Sequence, residues 1–167
     1  MQPTNRLTKK KERLYIAYGS NLNLEQMESR CPTAEIVGAA LLHNWRLMFK
    51  GGSTAVATIE PCIGSKIPIL VWNLQERDET ALDVYEGYPH LYRKKTLRIT
   101  VNKRRVHAMV YIMNQARYPY GTPSAGYFAT IREGYESAGF DTDILRQAVL
   151  ESAWKAHYEL RYERGCD

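Results

Sequence analysis

The sequence predicts an α+β fold, a mixed and mostly antiparallel β-sheet or small β-barrel with helices packed around it. Strand-like runs dominate the middle of the chain, residues 34–113, whereas helical periodicity dominates its end, residues 127–162. The helices that fall between strands are short and do not alternate with them as parallel βαβ units require. A length of 167 residues, with 44% hydrophobic and 25% charged side chains, suits one domain of ordinary size and excludes a disordered or collagen-like chain.

The elements follow in order. Residues 14–18 are a short apolar-aromatic run, a first strand that ends at Gly19-Ser20-Asn21, residue types that favour turns. Asn23 then caps a short helix with Leu24, Met27 and Glu28 at helical spacing, stopped by Cys31-Pro32. Residues 34–50 read as β, with Trp45, Leu47 and Phe49 alternating against Arg46, Met48 and Lys50. Gly51-Gly52 turns the chain into a strand at 55–59, and residues 61–65 turn it again into 67–74. Residues 76–85 carry Leu82 and Tyr85 at i, i+3 and form a helix stopped by Gly87 and Pro89. Strands at 92–101 and 106–113 are joined by a tight basic turn at Asn102-Lys103. A loop over 114–124 leads to helices at 127–138 and 143–162, the second with Leu145, Val149, Ala153, Ala156 and Leu160 along one stripe.

Charge is unevenly placed. Of the formal net charge of +5, residues 1–13 hold +4, so the chain reads as a flexible basic tail at 1–12 followed by a single near-neutral domain at 13–167. Nucleic-acid binding wants its charge on a folded face, and such a tail is weak evidence for it. Arg93, Lys94, Lys95, Arg98, Lys103, Arg104 and Arg105 do form a basic segment, read most simply as a solvated sheet edge. No run approaches the roughly 18 apolar residues of a membrane span, and the polar, basic start has no secretory h-region. Cys31, Cys62 and Cys166 form neither a disulfide framework nor a zinc pair, which fits reduced thiols in a cytoplasmic protein. The four histidines, His43, His90, His107 and His157, share no metal-like spacing, and no phosphate loop, dinucleotide fingerprint or serine-nucleophile elbow occurs. Metal and nucleotide chemistry are therefore not expected.

Two segments can carry chemistry. In Tyr15-Ile16-Ala17-Tyr18-Gly19-Ser20-Asn21-Leu22 a strand runs into a helix start, a corner whose backbone N–H groups, with the Ser20 hydroxyl and Asn21 amide, can hold a carboxylate or an oxyanion. In Leu82-Asp83-Val84-Tyr85-Glu86-Gly87-Tyr88-Pro89, Glu86 ends a helix, where the macrodipole disfavours an anion, and is flanked by Tyr85, Tyr88 and Tyr92. Such surroundings raise a carboxyl pKa toward the range a general base needs.

Together these segments resemble the gamma-glutamylcyclotransferase-like (AIG2-like) superfamily. The YGSNL string, the LDVYEGYPHLY stretch and the PSAGY segment at residues 123–127 match its landmarks, in order, over roughly residues 13–150. The resemblance implies a small β-barrel with surrounding helices and no cofactor. It implies cleavage of a γ-glutamyl amide by internal cyclisation to 5-oxoproline and a free amine, with Glu86 as the acid/base. It places substrate binding on Tyr18, Gly19, Ser20, Asn21 and Leu22, with Tyr92 and Tyr127 lining the pocket. Its members differ in leaving group, and here the loop at 115–121, with Arg117, is the expected selector. Two rivals stand beside this reading: a non-catalytic γ-glutamyl-binding protein on the same scaffold, which has no need of Glu86, and an anion-binding module on the Arg93 to Arg105 strands. The expected partner is a small γ-glutamyl substrate, with no nucleic acid and no membrane.

Overall fold

A computed structural model describes residues 12–114 and 117–164. Five strands form one sheet in the order β2-β3-β1-β5-β4, where β1 is Leu14–Ala17, β2 is Glu35–Lys50, β3 is Val56–Asn73, β4 is Tyr92–Val101 and β5 is Arg104–Met113. Every pairing is antiparallel except that of β1 with β5. Among the described residues four α-helices accompany the sheet: α1 at Leu24–Arg30, α2 at Glu76–Tyr85, α3 at Ala125–Ser137 and α4 at Thr142–Arg164. The α+β class and its mostly antiparallel sheet are as the sequence predicts. The sheet is open, however, since among the described residues no ladder joins β2 to β4. Side chains bring these outer strands together instead. Asn102 Nδ2 donates to Val37 O at 2.8 Å, and Lys95 Nζ lies 5.4 Å from the Trp45 ring centroid. Gly38 makes the room, because a Cβ there would sit 2.8 Å from Asn102 Oδ1.

The strand expected to break at 61–65 does not break. β2 and β3 are a single long ribbon, and the predicted turn is a bulge: His43 pairs with Lys66 and Trp45 with Pro61, so four residues of β3 oppose Asn44 alone. Asn44 at φ 65 and Gly64 at φ +87 absorb the bend, and Gly64 N–H donates to Asn44 Oδ1 at 3.1 Å. Pro61 and Pro68 fall outside residues 70–73, the part of β3 that pairs with β1, where a missing N–H costs no ladder bond on that side. Asn102 and Lys103, at φ 49 and 62, make the two-residue hairpin turn whose twist suits its strands.

Ile16, Phe49, Ile59, Ile69, Val110 and Ile131 anchor the core between sheet and helices. α3 lies so close to the start of the chain that a Cβ on Gly134 would meet the Leu22 carbonyl carbon at 2.7 Å. α4 packs on β2 along Leu145, Ala148 and Ser152, a face slightly rotated from the predicted stripe. The rotation follows from Ser152, whose hydroxyl accepts from Phe49 N–H at 2.8 Å and donates to Ala148 O at 2.7 Å. The tail expected at 1–12 falls, apart from Glu12, outside the described residues, as do Gln115, Ala116 and Cys166. Among the described residues no helix is long and apolar enough to cross a membrane.

Candidate active site

β1 carries Tyr15 and Tyr18 to one end of the sheet, where Gly19 opens a single 3-10 turn at Ser20–Leu22. Gly19 has little space for a side chain, since a Cβ would lie 3.1 Å from the Ala57 Cβ. Asn23 then caps α1, its side chain accepting from Gln26 N–H at 3.2 Å. From the other side comes the end of α2. Gly87, at φ +60, stops the helix, with its N–H on Val84 O at 3.2 Å and the Tyr88 N–H on Asp83 O at 2.9 Å, the paired bonds of a Schellman cap. That cap leaves Glu86 just past the last residue of the helix, as its C-cap, facing the turn that β1 feeds.

Between them lies a cavity of about 270 Å³, counting the space open at its mouth, lined by Tyr15, Tyr18, Gly19, Ser20, Asn21, Ala57, Glu86, Tyr92, Tyr111 and Tyr127. Of the residues expected at the site, Tyr18, Gly19, Ser20, Asn21, Glu86, Tyr92 and Tyr127 meet here across more than a hundred residues of chain. Leu22 does not. It is fully buried in the core beneath α3, where it seats the turn rather than facing the cavity. Arg117 does not line it either. It is exposed, and Pro119 to Thr122 of its loop line a separate groove with Gly52, Ser53 and α4.

The tyrosine hydroxyls are held in place. Tyr92 donates to Ala57 O while Tyr127 accepts from Ala57 N–H at 3.1 Å, so the two clasp one residue of β3 from both sides. Tyr18 donates to Tyr111 O at 2.7 Å, and Tyr15 and Tyr111 meet edge to face with centroids 5.8 Å apart. The Tyr111 hydroxyl donates to Asp83, which is salt-bridged to Lys94 at 2.7 Å. Burial, with the Glu86 charge second, pushes the Tyr15 and Tyr18 phenols well above their ordinary range, so both stay protonated.

Glu86 is different in kind. Asn21 Nδ2 donates to its Oε1 at 2.9 Å and to Tyr15 OH at 2.8 Å. Burial pushes the Glu86 carboxyl up to about 7, against the opposing pull of the Arg30 charge and the Asn21 hydrogen bond. A carboxyl poised there both takes and returns a proton near neutral pH. Among the described residues no group of three His, Cys, Asp or Glu side chains is placed to hold a metal ion.

The family described as "Gamma-glutamyl cyclotransferase, AIG2-like" matches residues 15–129, a span that begins at the first tyrosine of the cavity and ends just past the last. The chain belongs to this AIG2-like gamma-glutamyl cyclotransferase family. Its relatives include a human gamma-glutamylcyclotransferase, 28% identical over 75% of this chain and 71% of that protein. A bovine gamma-glutamylcyclotransferase is 34% identical over 82 residues, an alignment that spans only 44% of either chain. A solved structure named gamma-glutamyl cyclotransferase superposes with a TM-score of 0.73 at 25% identity, covering 83% of this chain and 86% of that one.

Sequence reasoning singled out the segment that begins at Tyr15 but gave Tyr15 no place in the wall of this family member's cavity, and it missed Ala57, Tyr111 and Arg30 behind Asn21. Twelve tyrosines against three phenylalanines was the available signal, because a buried phenol needs a hydrogen-bond partner and so marks a polar interior.

Proposed function

We propose that this protein is a γ-glutamyl cyclotransferase, cleaving a γ-glutamyl amide into 5-oxoproline and a free amine or amino acid. The observation that carries the reading is a glutamate with a carboxyl held at about 7, alone among tyrosines in a cavity walled by the Gly19–Asn21 turn. In the reaction the substrate's α-amine attacks its own γ-carbonyl carbon. A C–N bond closes the five-membered lactam, and the bond to the leaving nitrogen breaks. Glu86 takes the proton that the amine must lose and returns it to the leaving nitrogen, so the site ends as it began. Tyr18, Gly19, Ser20, Asn21, Tyr92 and Tyr127 surround the glutamyl end and hold it curled. Amine and carbonyl then meet in a unimolecular closure instead of an encounter. The tyrosine-lined recess at the Gly19–Asn21 turn suits the compact glutamyl end, with the leaving group outside its mouth.

The test is 5-oxoproline release from a panel of γ-glutamyl amino acids, γ-glutamyl amines and glutathione, by the wild type and by Glu86→Gln. A positioned acid/base contributes about 10²–10⁴-fold, so turnover of the best substrate should drop at least about a hundredfold in the variant. Turnover untouched by the substitution would remove Glu86 from the chemistry. A wild type that binds 5-oxoproline yet turns over nothing would favour the binding-protein reading.

A further inference from the structure

Arg30, the last residue of α1, lies behind the cavity and touches two neighbours of Glu86, Asn21 and Tyr85. Its Nη1 donates to Asn21 Oδ1 at 2.7 Å, its other Nη donates to Gln26 Oε1, and its guanidinium carbon lies 3.6 Å from the centroid of the Tyr85 ring. Tyr85 directly precedes Glu86, and its hydroxyl is 3.1 Å from Ser20 Oγ. We propose that Arg30 is a positioning residue of this site, fixing through Asn21 and Tyr85 which atoms Glu86 meets and supplying the positive charge that faces it.

The argument begins with the amide. An asparagine side chain can present either its oxygen or its NH₂, and an oxygen turned to a carboxylate repels it. A guanidinium only donates, so it accepts only the oxygen face of Asn21. With Oδ1 held by Arg30, Nδ2 is left to Tyr15 OH and Glu86 Oε1, as observed. Stacking on Tyr85 then ties α1 to the last turn of α2, so the same side chain fixes the donor and the backbone that carries the acceptor. The planar fork and the stacked ring are properties of arginine that lysine lacks.

The charge matters as well. Around Glu86 stand Tyr15 and Tyr18 from β1 and its end, Tyr92 from β4, Tyr111 from β5 and Tyr127 from α3, phenols that burial keeps protonated, with Tyr85 from its own helix beside them. Among the described residues Arg30 is the charged group that draws the Glu86 carboxyl down against its burial. Without it the carboxyl moves further up and holds its proton through neutrality, when the reaction needs an empty base.

This inference rests on Glu86 being the base, and the test separates the two claims. The Glu86 carboxyl is titrated by NMR with ¹³C-labelled glutamate, with no substrate present, in the wild type, Arg30→Lys and Arg30→Met, and pH profiles of 5-oxoproline release are recorded alongside. A nearby opposite charge lowers a carboxyl pKa, by about one to three units where the two are close. Arg30→Met should therefore raise the Glu86 titration by about one unit or more and shift the acidic limb of kcat with it. Its kcat at pH 7 should fall about tenfold or more and partly recover toward pH 9. Arg30→Lys should keep the titration near that of the wild type yet lose kcat with little change in KM, because charge alone does not orient Asn21. A titration unmoved in a folded Arg30→Met, or full kcat in Arg30→Lys, overturns the proposal while leaving the cyclotransferase reading intact. A titration that moves in an enzyme whose turnover ignores Glu86→Gln upholds Arg30 and sinks the mechanism instead.

Discussion

Glu60 and Glu86 are both drawn inward by the fold and end in opposite company. Glu60, only 6% exposed, has Arg46 Nε at 2.8 Å on one oxygen and the Tyr120 hydroxyl at 2.8 Å on the other, with Lys155 at 3.8 Å. Arg46 is shared in turn with Glu151, so the cluster staples the β2–β3 ribbon to α4 and to the Tyr120 loop. Glu86 has the Asn21 amide, and its cation is one residue removed behind that amide. A buried carboxylate with cations in contact is finished as a structural piece. One left short of partners keeps its affinity for a proton, and that is what chemistry uses.

The comparison breaks first on activity. Glu86→Gln should cost at least about a hundredfold in turnover, while Glu60→Gln should leave turnover within a few-fold, as measured by 5-oxoproline release on the same substrate. Equal losses in the two variants would mean that the site senses the Glu60 staple directly.

The next effect is thermodynamic and has a sign. The Glu86 carboxyl sits at about 7 in the folded chain and at about 4.3 in the unfolded one. Between these values the folded chain holds the extra proton, so the contribution of Glu86 to stability falls as pH climbs from about 4 to about 7 and is level above that. The amide introduced by Glu86→Gln does not titrate. From pH 4 to pH 8, the stability of that variant should gain on that of the wild type by on the order of 3 kcal/mol, read from urea unfolding. A constant difference across that window would show that burial does not raise the carboxyl.

Smaller effects sharpen the contrast at the edges of each site. Gly134→Ala pushes a methyl into the Leu22 and Asn23 backbone. It should destabilise by about 1–3 kcal/mol and lower turnover as well, because α3 is wedged off the turn that holds Asn21. Glu60→Gln removes the charge facing Arg46 and should lower stability by about 1–2 kcal/mol, since these cations are a quarter exposed and water replaces part of the pairing. Tyr120→Phe, which deletes one hydrogen bond to Glu60, should lose about 1 kcal/mol with turnover unchanged.

Much of this was legible from residue order because the decisive signals were local. Strand-like runs gave β2 and β4 to within a residue, Gly87 and Pro89 marked the end of α2, and Asn23 marked the start of α1. The YGSNL and EG segments could be named, and the cavity brings them together. What escaped was set by tertiary packing. Pro61 with Gly64 looks like a turn, and becomes a bulge because β2 continues to pair on both sides of it. Leu22 sits inside a binding-loop motif, yet its apolar side chain belongs to the core. Arg30 ends a short helix with nothing local to distinguish it from a solvated arginine, and only the fold shows that Asn21 and Tyr85 converge on it. Arg117 was placed by loop position, which says nothing of the face the loop covers.

The bridge from Asn102 to Val37 of β2 also bears on how this molecule lives among its own copies. Strand margins with unsatisfied amides invite further strands to add on, and that is how sheets of separate molecules fuse. Here the two outermost strands lean over each other, one fastened at Val37 and the other fringed with Arg93, Lys95 and Arg98. A newcomer would have to undo that fastening and approach through like charge. The fold thus guards itself against fibrous association with the same few side chains that finish its curl.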